Sequence, residues 1–317
     1  DRRIALEVFH SVSDGSGAIV FLKTLTARYL GLSGIAIPAT HGVLDCDQPA
    51  QHAEAADDFD AFAGRSTPRG RREPRAYHVS GTRVPYLTLN ITTGTLPVGA
   101  VKEEARRHGV SITEYLTACY MHILNNIQAS EHRRRPLPVK VQVPVNLRRF
   151  HPSETLRNFS SYVTPGIDPT HGEYTFEEIL SLVHHFMHYE VTDKHLRSRV
   201  AANTRTERHA LIRITPLFLK NRLINLGYQL SGPSIYTSVM TNLGMVQVPP
   251  EMADHVAMFD FHLGPSYATN VDCGILGYQD KLRINFTRVI HEPIVERAFF
   301  TFLVRQGIPV KVESNSE

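Results

Sequence analysis

The stretch Glu7-Val8-Phe9-His10-Ser11-Val12-Ser13-Asp14-Gly15-Ser16-Gly17-Ala18 decides how this chain is read. Residues 3–9 are nearly continuous in apolar character, which predicts a strand in a sheet covered on both faces. From Ala18 to Leu30 the spacing predicts a helix, with Ala18, Phe21, Leu22, Leu25 and Tyr29 on one stripe. Between them, His10 to Gly17 is a turn rich in Ser, Asp and Gly. A polar turn held by rigid elements on both sides is a good mount for chemistry. A histidine at the end of a buried strand can face a cleft, and imidazole is the side chain best matched to taking a proton near neutral pH. An aspartate four residues on can fix the backbone of the loop. By spacing alone, H-x-x-x-D-G equally fits a surface turn.

Outward from this stretch, residues 45–76 change character. An acidic block (Glu54, Asp57, Asp58, Asp60) precedes a basic one (Arg65, Arg69, Arg71, Arg72, Arg75) broken by Pro68, Gly70 and Pro74. Weak periodicity predicts a flexible surface excursion with one short helix. Regular order resumes with a strand over 84–92, a helix over 97–108 and another over 112–128, opened by a capping box of Ser111 and Glu114. A strand follows at 137–145, then a long helix after Thr175, whose partner Glu178 completes a second capping box. Residues 217–229 read as helix; 234–241, 255–263 and 281–288 as strands; 293–306 as helix; and 308–313 as a last strand. This alternation predicts an α/β or α+β chain with a large mixed sheet.

Two more constellations could carry chemistry. Pro144-Val145-Asn146-Leu147-Arg148-Arg149 is followed by Arg157-Asn158-Phe159-Ser160. A strand ending in a fixed guanidinium and amides suits a buried polar network or an anion, and equally a solvated strand end. Thr237-Ser238-Val239-Met240-Thr241-Asn242-Leu243-Gly244 places hydroxyls and an amide at the end of an apolar strand, where they could donate to a developing oxyanion. Asn-x-Gly also ends many strands as plain turn chemistry.

In order and spacing, the three together resemble the acyltransferase superfamily that includes chloramphenicol acetyltransferase, plant BAHD acyltransferases and peptide-synthetase condensation domains. His10, Asp14 and Gly15 match its H-H-x-x-x-D-G motif, with Phe9 in place of the first histidine. Asn146-Leu147-Arg148 resembles the V-D-x-R strand end and Asn158 the following Gly-Asn, with Arg157 where glycine is usual. A closer likeness is to bacterial proteins labelled alcohol acetyltransferase, matched at Glu7 to Ala18, Pro144 to Phe159, Pro216 to Asn221 and Thr241 to Gly244.

The resemblance implies a two-lobed α/β, chloramphenicol acetyltransferase-like fold with large mixed sheets and a tunnel between the lobes. Residues 1–135 would be the remainder of the N-terminal lobe and 136–317 the C-terminal lobe. The family carries several strands and a helix before its histidine motif, so the first lobe is expected to be incomplete. The implied activity is O-acyl transfer from a coenzyme A thioester such as acetyl-CoA to an alcohol, with His10 as general base acting without a triad. Ser238, Thr241 and Asn242 are the oxyanion candidates. Asp14 is expected to pair with Arg148, with Gly15, Asn146 and Asn158 as structural support. Two alternatives stand beside this: an acyl donor on a carrier protein's phosphopantetheine, or a non-catalytic binding remnant. The expected partners are the alcohol and acyl-CoA, together with an upstream segment or a carrier protein.

Composition narrows the field further. Lys plus Arg is 34 and Asp plus Glu 31, a net charge of +3, which gives no electrostatic reason to expect nucleic acid. Cys46, Cys119 and Cys273 are widely spaced with no CxxC pair, as in a reducing, cytoplasmic compartment. No apolar run approaches the about 18 residues of a membrane span. N-x-S/T matches at Asn90, Asn158 and Asn285 fall in or near strand-like stretches and read as chance. Gly15-Ser16-Gly17 lacks the third glycine of a dinucleotide loop. Arg133-Arg134-Arg135 reads as a solvated helix end, with a contact to the phosphates of coenzyme A as the alternative. His184 and His188 stand four apart, but no HExxH pattern or third ligand accompanies them among 17 histidines, so no metal is expected.

Overall fold

The computed structural model describes residues 2–64, 74–208, 215–222, 235–266 and 268–316. Its centre is a mixed sheet of eight strands: β1 (Asn90–Pro97), β2 (Val139–Asn146), β3 (Ser160–Val163), β4 (Gly166–Ile167), β5 (Ser238–Val246), β6 (Val271–Tyr278), β7 (Lys281–Arg288) and β8 (Lys311–Ser314). The order is β3-β2-β5-β6-β7-β1-β8, with β4 pairing onto β2. Strands β2, β5 and β6 run parallel, and the remaining pairings are antiparallel.

Side-chain alternation on β6 assigns the two faces. Val271, Cys273 and Ile275 join one apolar cluster, whereas Leu276 and Tyr278 join another, so this strand is buried on both sides. The first cluster packs under α3 (Val98–Arg107), α4 (Ile112–Ser130), α5 (Phe176–Glu190) and α8 (Ile294–Arg305). The second lies under α1 (Gly15–Leu32), through Ile19 and Leu22. Further helices are α2 (Phe59–Ala63), α6 (Asp193–Arg208) and the single turn α7 (Pro250–Ala253). No described helix is long and apolar enough to cross a membrane.

Both capping boxes form: Ser111 with Glu114 opens α4, and Thr175 with Glu178 opens α5. Several expectations are corrected. Residues 3–9 form no strand, and Phe9 is exposed, because no described strand lies beside them to pair their backbone groups. Helix α1 starts at Gly15 rather than Ala18, because Asp14 caps it through the Gly17 N–H at 3.0 Å. Thr24, Ala27 and Leu30 face inward, the last two packing with Val43 and Met252, while Phe21 is 54% exposed and Leu25 also faces out.

The run 255–263 lies across the sheet rather than in it. Asp260 pairs with Arg283 and the Phe261 carbonyl accepts from Asn285 Nδ2 at 3.1 Å. A Cβ on Gly274 would stand 2.8 Å from that carbonyl, so only glycine permits the approach. Strand β6 escapes prediction because Asp272, Gly274 and Gly277 are poor strand formers by propensity. The short β3 and β4 were not foreseen either, nor was α6, where Leu196, Val200 and Ala201 are the buried apolar residues of an otherwise polar helix.

The strand predicted over 84–92 forms later, as β1. Within the predicted excursion 45–76, α2 buries Phe62 completely, and 65–73 lie outside the described residues. Residues 217–222 are helical; 223–229 of that predicted helix, and 234 of the following strand, also lie outside.

Candidate functional site

Three parallel strands end on the same side of the sheet, which is where open α/β sheets commonly place ligands. Asn146 ends β2, and Asn242 stands at the irregularity of β5, where the register with β6 shifts between Asn242 and Met245. The start of α1 is fastened to both. Asn146 Nδ2 donates to Ser16 Oγ at 3.0 Å, and Gly15 abuts Leu243, whose Cδ2 would lie 2.6 Å from any added Cβ.

Asp14 is the centre of this arrangement. It is 5% exposed, and its Oδ2 accepts from Arg148 Nη1 at 2.7 Å and from the Phe159 N–H at 2.9 Å, while Oδ1 caps α1. Arg148 is itself held in place. Its Nε and Nη2 donate to the Thr155 carbonyl at 3.1 and 2.8 Å, and Nη2 also reaches the Arg157 carbonyl at 2.8 Å. Asn146 Oδ1 accepts the Arg148 N–H at 3.0 Å, so the turn after β2 is closed by the side chain at its start. The pairing of Asp14 with Arg148 is thus present, as part of a polar network linking the turn, the end of β2 and residues 155–159.

His10 lies in the exposed turn just before this network, and no described residue pairs with its ring. Ser13 Oγ donates to the Leu156 carbonyl at 2.5 Å, anchoring the turn two residues before α1. Gly17 is required sterically, since a Cβ there would be 2.2 Å from both the Leu156 carbonyl oxygen and Ser13 Oγ. This anchor escaped the sequence reading. The serine-rich turn was its only trace.

The expected oxyanion donors divide. Asn242 is half-buried; its Nδ2 donates to Thr113 Oγ1 at 3.0 Å and its Oδ1 accepts the Gly244 N–H at 2.9 Å. Gly244 takes φ +77°, which suits glycine and makes the tight turn of the irregularity. Thr241 is half-buried beside it. Ser238 is at the opposite end of β5, 0% exposed, with its hydroxyl bonded to Tyr120 Oη and the Val271 carbonyl, each at 2.7 Å. The structure does not bring Ser238 to the group around Asp14. Asn158 stands next to Phe159 but turns its Oδ1 to Ser160 Oγ at 2.9 Å, outside the Asp14–Arg148 contacts.

Below Ser238, Asp272 accepts from the Val239 N–H at 3.0 Å and the Thr269 hydroxyl at 2.6 Å, and burial raises its carboxyl to about 6. Of the arginine run, Arg133 is engaged by Glu131 at 2.6 Å and by the Tyr77 ring at 5.0 Å. Asn285 is wholly buried in β7, which removes it as a glycan acceptor.

No family model and no curated protein matches the sequence. Solved structures do match in shape. The nonribosomal peptide synthetase FmoA3 in its AMPPNP-bound form aligns over 93% of this chain and 29% of its own, with a TM-score of 0.57 and 17% identity. The EpoB cyclization-docking bidomain from Sorangium cellulosum aligns over 93% of this chain and 58% of its own, at 0.53 and 15%. The first condensation domain of the calcium-dependent antibiotic synthetase, in complex with a substrate analogue, aligns over 95% and 65%, at 0.51 and 16%. This chain spans less than two thirds of each of them. Its mixed α/β architecture with one large mixed sheet is therefore the chloramphenicol acetyltransferase-like fold of the peptide-synthetase condensation domains.

Proposed function

We propose that this protein is an O-acyltransferase that moves an acetyl or other acyl group from a coenzyme A thioester to an alcohol hydroxyl. The observation that carries the reading is the fastening of the His10 turn. Asp14 ties it to Arg148 and to the Phe159 backbone at the carboxyl ends of parallel strands, while His10 stays unpaired among the described residues. A base whose turn is anchored three and four residues on, at Ser13 and Asp14, and whose ring is uncommitted fits proton abstraction without a triad. In the proposed reaction, His10 accepts the hydroxyl proton as the alcohol oxygen bonds to the thioester carbonyl carbon. The oxyanion forms, the C–S bond then breaks, and the imidazolium returns its proton to the leaving thiolate. Thr241 and Asn242 are the donors proposed for the oxyanion; the buried hydroxyl of Ser238 is already committed elsewhere. The likeness to the proteins labelled alcohol acetyltransferase supports the alcohol as acceptor.

The synthetase domains among the similar structures favour one second reading, in which the donor is an acyl group on a carrier protein's phosphopantetheine. Thiol release from acetyl-CoA with a panel of alcohols tests the first. Turnover that requires an alcohol and falls by roughly 10²–10⁴ in His10→Ala, at unchanged melting temperature, is the expected result. Turnover that is equal in wild type and His10→Ala would remove the base from the mechanism. No release from free acetyl-CoA, but transfer from an acylated carrier protein, would move the donor to the second reading.

A further inference from the structure

Helix α5 carries His184 and His188 one turn apart, and the fold supplies what their spacing lacked. Glu114, in the first turn of α4, places Oε1 3.4 Å from His184 Nδ1 and 3.4 Å from His188 Nε2. One ligand atom from each of the three residues lies within 4.8 Å of the others. We propose that Glu114, His184 and His188 form a binding site for one divalent transition-metal ion of the zinc type.

Three observations carry this. The first is spacing. Zinc bonds imidazole nitrogen and carboxylate oxygen at about 2.0–2.1 Å, so two ligands on a tetrahedral ion stand about 3.3–3.4 Å apart. Both glutamate–histidine separations have that value already.

The second is the preparation of the carboxylate. The side chain of Glu114 is only 8% exposed, and its Oε2 accepts the Ser111 N–H at 2.7 Å in the capping box, which fixes the orientation of Oε1 beside the imidazoles. A backbone donor on the far oxygen of a ligating carboxylate is the usual supporting contact of a metal site.

The third is an orphan. His184 Nδ1 is buried without an aligned hydrogen bond among the described residues, although Glu114 Oε1 is close by. A cation between the two atoms would satisfy both. Two imidazoles and one carboxylate suit zinc rather than magnesium or calcium, which take oxygen ligands. His188 is 67% exposed, leaving an entry path and a fourth position for water.

The ion would tie the start of α4 to α5. Thr113, one residue before Glu114, accepts the hydrogen bond from Asn242, so the same turn of helix supports the irregularity in β5. The metal site stands without the proposed acyl transfer, since its test reads binding alone.

The experiment uses the whole chain, stripped with a chelator and titrated with Zn²⁺ by calorimetry and with Co²⁺ by visible absorbance. The expected result is one equivalent bound, a four-coordinate Co²⁺ spectrum, and affinity at least 10-fold weaker in His188→Ala and in Glu114→Gln. The glutamine keeps an oxygen for the Ser111 cap, and His188 is exposed, so both variants should fold. His255→Ala, at another exposed histidine, should bind as wild type does. Equal zinc uptake by wild type and His188→Ala, or a loss of equal size in His255→Ala, would overturn the site; so would no binding at tens of micromolar zinc.

Discussion

Replacing Asp14 by alanine removes three contacts at once: the cap on α1, the acceptor for the Phe159 N–H and the partner of Arg148. The loss of an N-cap costs about 1 kcal/mol. Breaking a buried ion pair from one side costs about 3–5 kcal/mol, because the remaining charge stays without its partner. Arg148 softens that figure, since it keeps the carbonyls of Thr155 and Arg157 and its side chain is 16% exposed. The expected loss is therefore about 3–5 kcal/mol, a large share of the stability of an ordinary domain.

Asp14→Asn should cost less, about 1–3 kcal/mol, because an amide oxygen can still cap the helix while the charge is gone. Urea unfolding followed by circular dichroism at pH 7 measures both, and Asp14→Ala with Arg148→Ala completes a double-mutant cycle. The two substitutions should couple, the double variant losing much less than the sum of the singles. A loss under about 1 kcal/mol for Asp14→Ala, or strict additivity in the cycle, would refute the reasoning. Turnover should fall along with stability, since the turn bearing His10 loses its anchor.

Gly17→Ala should lower the melting temperature, because its Cβ meets a backbone carbonyl that cannot rotate away. Gly31→Ala in the same helix, with nothing within 4 Å of its Cβ, should be neutral or stabilise by roughly 0.5–1 kcal/mol. Equal effects at the two positions would show that the contact with Leu156 is not what demands glycine. For Asp272 the sign follows from a raised carboxyl: the folded protein holds this proton to about pH 6, the unfolded chain only to its ordinary value of 3.8. Stability from this group is therefore greatest below pH 4 and falls by roughly 3 kcal/mol as pH rises to about 6. Asp272→Asn keeps an acceptor for the Val239 N–H, and the difference between wild type and variant in urea midpoint should drift over pH 4–7. A pH-independent difference would count against the burial effect.

What the sequence determined by itself is chemistry that closes within a few residues. The capping boxes Ser111/Glu114 and Thr175/Glu178 were legible because donor and acceptor are three residues apart, and the helices they open follow from apolar spacing. The strand at 281–288 was legible for the same reason. Its leucine, isoleucine and phenylalanine alternate at period two. The segment at 255–263 has similar composition yet lies over the sheet, because Gly274 leaves room for Phe261 only in three dimensions. Residues 3–9 show the converse, a strand pattern that pairs with no described strand.

In the candidate site, H-x-x-x-D-G and the Asn-x-Arg turn were visible as types, and the resemblance linked Asp14 to Arg148. Only the tertiary structure, which seats the turn before α1 against the segment that follows β2, brings a carboxylate and a guanidinium 134 residues apart to 2.7 Å. Ser238 and Asn242 look alike in sequence, four residues apart on one strand, but burial commits one hydroxyl to the core and leaves the amide at the site's edge. Glu114 beside His184 and His188 had no sequence signal at all. Helical periodicity fixes which face of α5 the histidines share, while the packing of α4 against α5 chooses what meets that face.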